Sequence, residues 1–285
     1  MHVGPLRLSR RSIGIAVAVA GVLSLAIGAH AALNMRALDA AKATASDQDN
    51  GVAGHASRVA LIIGNGHYPD ANAPLTQPIN DARALTEALR RDGFEVDVVE
   101  DASKDDMSRA VARLKARINP GSVVMLFFGG YGVQVGRESY MVPVDAAIWK
   151  ESDVRRDGVS IEAVLDVMKQ KGARARLVVV DASRRNPYER RFRSFSHGLA
   201  PINAPDNALI LSSATPGQVA DDSKGQYSVL MTELLNNLNA QTGAEAAFNK
   251  TRGAIARASE GQQVPSVSSS LSEDVHFAAS GNTGG

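Results

Sequence analysis

Four short segments of the chain draw attention for their side chains: Gly64-Asn65-Gly66-His67, Gly129-Gly130-Tyr131-Gly132, Asp181-Ala182-Ser183-Arg184 and the stretch 212–223. Ser183 offers a hydroxyl, a weak acid that attacks a carbonyl only when a well-placed base takes its proton. His67 and His197 are the imidazoles at hand for that task, and no spacing ties either to Ser183. Both also fit the ordinary habit of half-exposed loop histidines. Tyr131 brings a phenol, a donor at neutral pH and a poor proton acceptor. Gly64-Asn65-Gly66 invites comparison with a phosphate cradle. It lacks the third glycine and the immediate helix of the dinucleotide fingerprint, and Pro69, Pro74 and Pro78 postpone any helix. The chain has 285 residues and no cysteine, which excludes disulfides, thiolate metal sites, iron–sulfur clusters and a cysteine nucleophile.

Each of these segments follows an apolar run. The runs at 59–63, 96–99, 122–128, 177–180 and 208–211 are apolar on consecutive positions, the pattern of strands covered on both faces. Helical periods alternate with them: Met107, Val111, Leu114 and Ile118; Ile161, Val164, Leu165 and Met168; Leu230, Leu234, Leu235 and Leu238. A further helix begins near Asn80 or Asp81 and ends near Arg91, with Gly93 just past it. Strand–helix alternation predicts one α/β domain around a mainly parallel sheet, with ligands beyond the carboxyl ends of the strands. The four segments leave those ends.

Composition narrows the alternatives. Hydrophobic residues make up 44% and charged residues 21%, the proportions of a globular protein and too apolar for a disordered one. Lys plus Arg is 31 against 30 for Asp plus Glu, so no nucleic-acid partner is expected. Residues 1–31 carry Arg7, Arg10 and Arg11 ahead of an apolar run at 13–27 and end in Ala29-His30-Ala31. That predicts a secretory signal, or an uncleaved anchor in the inner membrane. Either way the body is exported to the periplasm, because the arginines stay inside. Residues 32–57 are expected to be a flexible linker and 279–285 a disordered tail.

Longer motifs carry a resemblance. The run from Phe127 through Val135, then Tyr140-Met141-Val142-Pro143-Val144-Asp145-Ala146, resembles the bacterial caspase-like and metacaspase-like peptidases, which have an aromatic pair, Gly-His-Gly and a hairpin into Leu-Pro-Val-Asp-Ala. Val180-Asp181-Ala182-Ser183-Arg184-Arg185-Asn186-Pro187 is similar to the same family's Asp-Ala-Cys-Arg-x-Asn-Pro. Arg58 through Asn65, Pro78 through Ala82, Ala214 through Ala220 and Ser268 through Leu271 also match, so the likeness spans 58–278. It implies a caspase-like three-layer sandwich, with helices on both faces of a mostly parallel sheet of about six strands.

The resemblance also implies what has changed. The family's catalytic histidine and cysteine fall on Tyr131 and Ser183, and their separation of 52 residues fits the roughly 50-residue interval between that pair in caspases. Losing a nucleophile or its base alone can cost about a millionfold in a serine protease. The expectation is therefore a pseudopeptidase, with an active endopeptidase using Ser183, or a structural scaffold at the inner membrane, as alternatives. Asp81 and Asp181 match the carboxylates that line the family's pocket for Arg or Lys, where a carboxylate binds guanidinium through charge-assisted hydrogen bonds. Asp81 would otherwise support a helix N-terminus, and Asp181 cap a loop. The partner implied is a peptide or protein segment bearing Arg or Lys.

Arg184, Arg185, Arg190, Arg191 and Arg193 crowd one loop with Glu189, which reads as a solvated loop or as a site for an anionic partner. No cofactor is expected, and no metal: calcium wants six or more oxygens, whereas Asp153 and Asp157 stand singly among Arg155 and Arg156. Trp149 is expected to pack under the segment after the hairpin.

Overall fold

Three strands are buried along their whole length and form the middle of the molecule: β3 (Val123–Gly129), β7 (Ala175–Asp181) and β8 (Ala208–Ser212). Their sequences VVMLFFG, ARLVVVD and ALILS have no polar face, because both faces are covered. β1 (Arg58–Gly64) and β2 (Glu95–Glu100) continue the sheet on one side, and β9 (Ser266–Ser269) on the other. The order is β2-β1-β3-β7-β8-β9, parallel from β2 to β8, with β9 antiparallel. This is the sheet expected from the apolar runs. The computed structural model describes residues 57–69, 75–182, 199, 202–213, 225–239 and 242–278, all within the unit Ala56–Gly285. The signal or anchor at 1–31, the linker to residue 56 and the tail at 279–285 lie outside the described residues.

Alternation along the strands sorts the core into two layers. Val59, Leu61 and Ile63 face α2 (Lys104–Arg117) and α4 (Ile161–Gln170), whose Met107, Leu114, Val164, Leu165 and Met168 pack there. Ala60 and Ile62 face α1 (Gln77–Arg91), α5 (Val229–Asn237) and α6 (Ala244–Ala258), through Leu85, Leu89, Leu230, Leu234 and Phe248. Each such large side chain contributes about 1.5–3 kcal/mol by leaving water. Local signals set the helix ends. Ser103 and Asp106 form a reciprocal capping box on α2, and Gly93 past α1 sits at φ 83°, where a side chain would be strained.

β2 is an outer strand, and its carboxylates are tied down. Arg113 holds Asp97, Arg117 holds Glu95 and Arg83 holds Glu100, charges that discourage pairing with another chain. A second sheet, β4 (Gly132–Val135), β5 (Glu138–Met141) and β6 (Val159–Ser160), is antiparallel and grows from the end of β3. It has its own small core of Tyr68, Tyr131, Val133, Tyr140, Val142, Ile148 and Val154. Trp149 corrects an expectation. It does not pack under the segment after the hairpin; it is 65% exposed on the turn before α3 (Glu151–Asp157), while its neighbour Ile148 takes the buried place.

Candidate functional site

The chain leaves β1 toward β2 on one side, and β3 lies on the other, so the loops after β1 and β3 part at a topological switch point. Glycines allow the close approaches there. A Cβ on Gly64 would lie 2.4 Å from the Pro78 carbonyl oxygen, so only glycine lets the start of α1 rest on the end of β1. The same rest brings the turn of Asp81 over the strand ends, since Gly129 also faces Pro78.

A braced network follows from β1. Asn65 is fully buried: its Nδ2 donates to the carbonyls of Val142 (3.1 Å) and Ala102 (3.4 Å), and its Oδ1 accepts from Ala102 N–H (2.9 Å). Tyr68 donates its hydroxyl to the same Val142 carbonyl (3.0 Å) and accepts from Tyr131 N–H (3.0 Å). The Tyr68 and Tyr131 rings meet edge-on, centroids 4.7 Å apart. Tyr131 is thus held by its backbone and its ring, and 9% of it is exposed. Asn65 and Tyr68 brace the site, a role that sequence reasoning missed. Asn65 stood inside a recognised motif, but its partners lie 37 and 77 residues away, and no local signal marks Tyr68.

Position 131 stands beside the end of β7. Gly129 pairs with Asp181 in register, and Gly130 N–H donates to the Asp181 carbonyl at 3.2 Å. A Cβ on Gly132 would come within 2.9 Å of the Ala182 Cβ. The chain on which Tyr131 sits therefore touches the residue preceding Ser183. Ser183 itself lies outside the described residues, as do His197, the arginines from Arg184 to Arg193 with Glu189, and the motif from Ala214 to Ala220.

The two predicted carboxylates behave differently. Asp181 is the last residue of β7, 2% exposed; it belongs to the strand rather than to a loop. Asp81 is fully buried in the second turn of α1, past the point where a carboxylate supports the helix N-terminus, so that alternative does not hold. Its Oδ1 accepts from the N–H of Ser228, the N-cap residue of α5, at 3.0 Å. Gln77 and Asn80 hold the carbonyls of Gly225 and Gln226. One polar face of α1 thereby fastens the start of α5.

The glycine loop after β1 is not a phosphate cradle. The N–H groups of Gly66 and His67 both donate to Asp101 Oδ1 at 2.9 Å, so a carboxylate of the chain already uses them. Asp101 Oδ2 stands 2.6 Å from His67 Nδ1. Burial pushes the Asp101 carboxyl up, but the amide hydrogen bonds from His67 and Gly66, together with the His67 ring, outweigh it and hold the group below the usual carboxylate range. An ionised Asp101 requires a proton on the His67 Nδ1 that faces it. Asp101 follows β2, and both β1 and β3 lie between β2 and β7. His67 is drawn toward the side of β1 away from Asp181.

Asp153 and Asp157 are committed to arginine. Asp153 accepts from the N–H groups of Trp149 and Lys150 and pairs with Arg156, which also pairs with Asp157. The described ends of β3 and β7 thus bring a buried phenol, Tyr131, and a buried carboxylate, Asp181, onto neighbouring strand ends.

Comparison with known proteins places this geometry. The caspase domain family model, Peptidase_C14, matches residues 57–276. The human mucosa-associated lymphoid tissue lymphoma translocation protein 1 is 30% identical over 133 residues, 46% of this chain and 16% of that protein, and its mouse homolog matches to the same extent. The chain therefore corresponds to a small part of those relatives. Among solved structures, caspase-1 of Spodoptera frugiperda superposes with a TM-score of 0.60 at 15% identity, covering 80% of this chain and 92% of that one. A Geobacter sulfurreducens protein gives 0.56 at 17% identity, covering 78% and 99%. At these identities the structural likeness speaks for the fold alone.

Proposed function

The chain belongs to the caspase domain family, and on that premise we propose that it is an exported, catalytically silent member that binds peptide or protein segments through their Arg or Lys side chains. Tyr131 is the observation that carries this reading. It stands where the family resemblance calls for the histidine, buried against Tyr68, in a chain with no cysteine for that histidine to activate. A phenol does not take up a proton at neutral pH, and a serine hydroxyl without a base is inert toward amides. Asp181, on the strand end next to that of Tyr131, supports the binding half: a carboxylate attracts guanidinium strongly and can hold it bidentately. Export rests on the basic head and apolar run of residues 1–31.

The endopeptidase alternative needs a base for Ser183, and the place of His67, drawn to the β2 side of β1 away from the end of β7, argues against it in that role. The test is fluorescence anisotropy with labelled peptides ending in Arg, or in citrulline as the uncharged match. The expected result is Arg-selective binding that survives Ser183→Ala and is lost in Asp181→Ala. Affinity indifferent to Asp181→Ala would remove the proposal.

A further inference from the structure

Ser213 is fully buried, and among the described residues no group hydrogen-bonds its hydroxyl. Its backbone is the opposite case. The N–H donates to the Val180 carbonyl at 3.0 Å, continuing the β7–β8 ladder by one residue, and the carbonyl accepts from Gln263 Nε2 at 2.9 Å. The residue is pinned from both sides while its side chain keeps donor and acceptor unused. Buried polar groups are nearly always bonded, so such a hydroxyl calls for an explanation. Thr86 and Ser139 hold the other buried hydroxyls of this kind among the described residues, but they lie midway along α1 and inside the second sheet.

The place of Ser213 supplies the explanation. Val180 pairs with Ser212 in register, so the next residues, Asp181 and Ser213, are neighbours where β7 and β8 end. Val179 and Leu211 face α1 and α5, whereas Val180 and Ala182 face the other layer. Alternation therefore turns Asp181 and Ser213 to the α1–α5 side. Asp81 in α1 belongs to that side too, its Oδ1 on the N-cap residue of α5. Two carboxylates and a hydroxyl thus stand on one side of the carboxyl ends of the strands, where ligands of such sheets bind.

We propose that the Ser213 hydroxyl is a specificity-determining group of the cleft, accepting one N–H of a guanidinium held by Asp181 and so favouring Arg over Lys. This rests on the reading of Asp181 as the residue that binds the basic side chain. A guanidinium is planar and carries five donors, so it can span a carboxylate on one strand and a hydroxyl on the next, about 4.8 Å away. An ammonium is a compact point charge and loses less when the second acceptor is removed.

The experiment is fluorescence anisotropy of the full chain with labelled peptides ending in Arg, Lys or citrulline, alongside urea unfolding, for the unmodified protein, Ser213→Ala and Asp181→Ala. The expected result is loss of both basic peptides in Asp181→Ala. Ser213→Ala weakens the Arg peptide by about tenfold, the size of one hydrogen bond to a charged group, and the Lys peptide by about threefold at most. Its unfolding midpoint stays or rises, because alanine removes a hydroxyl that is unbonded in the unliganded chain. Basic peptides that need Asp181 but bind Ser213→Ala with an unchanged Arg-to-Lys ratio would overturn this inference alone, the hydroxyl then holding no more than water. A lowered midpoint would equally overturn it, by showing the hydroxyl to be bonded within the chain. Binding indifferent to Asp181→Ala would overturn both this inference and the reading of the cleft.

Discussion

Replacing Tyr68 by Phe keeps the ring that meets Tyr131 and deletes only the hydroxyl that joins two loops. The hydroxyl accepts from Tyr131 N–H and donates to the Val142 carbonyl, each at 3.0 Å, in a residue 4% exposed. Val142 keeps a donor, since Asn65 Nδ2 reaches the same oxygen at 3.1 Å. Tyr131 N–H loses its acceptor in a dry site, which costs about 1–3 kcal/mol, so the substitution should destabilise the domain by about 2 kcal/mol. Asn65→Ala alone leaves Val142 with Tyr68 but strands Ala102 N–H, at a similar cost. In the double variant the Val142 carbonyl loses both side-chain donors. The combined loss should therefore exceed the sum of the single losses by about 1 kcal/mol, a coupling expected of groups that share a partner. Urea unfolding followed by far-ultraviolet circular dichroism measures all four corners of the cycle; Trp149 is too exposed to report on the core. A Tyr68→Phe loss below about 0.5 kcal/mol, or strict additivity, would refute the network.

Three further outcomes follow from the geometry. Asp101 has a lowered folded-state pKa, so the stability it contributes is full above the unfolded value of about 3.9 and is lost as pH falls through the folded one. Asp101→Asn should be less stable than the unmodified protein at neutral pH, and the gap should close in acid; a gap constant with pH contradicts this. Arg176 is 2% exposed in β7, and its Nε and Nη1 make no hydrogen bond; burial lowers its pKa, and the charges of Asp206 and Asp166 offset this only in part. Arg176→Met should leave the melting temperature unchanged or raise it, and a marked fall would show a missed partner. Gly132→Ala should cost about 1–3 kcal/mol in thermal or urea unfolding, because the new Cβ meets Ala182 and Leu199 at 2.9 and 2.7 Å; a neutral change would mean the two loops are not in contact.

The sheet was legible where burial on both faces leaves no polar alternation, as in β3, β7 and β8. β9 reads SVSS, a short and partly exposed outer strand whose pairing is set by β8 rather than by its own residues. α6 escaped because its buried face is mostly Ala244, Ala247 and Thr251, with Phe248 and Ile255 as the only large apolar groups. At the site, the loops and their types could be read, since strand ends and motif spacing are local properties of the chain. The Asn65–Tyr68–Val142 bracing could not, because its partners meet only through the sheet order. Asp81 was recognised as a residue of consequence, but its bond to Ser228 joins positions 147 residues apart. Trp149 misled because an aromatic side chain predicts burial, while here Ile148 is buried and a carboxylate holds the Trp149 backbone outward.

The pairing of a caged phenol with an absent thiol is tested most directly by incubating purified full chain with fluorogenic peptides ending in Arg or Lys. The account predicts release no faster than from the Ser183→Ala variant, at any pH where the protein stays folded. Cleavage after the basic residue that Ser183→Ala abolishes would contradict it.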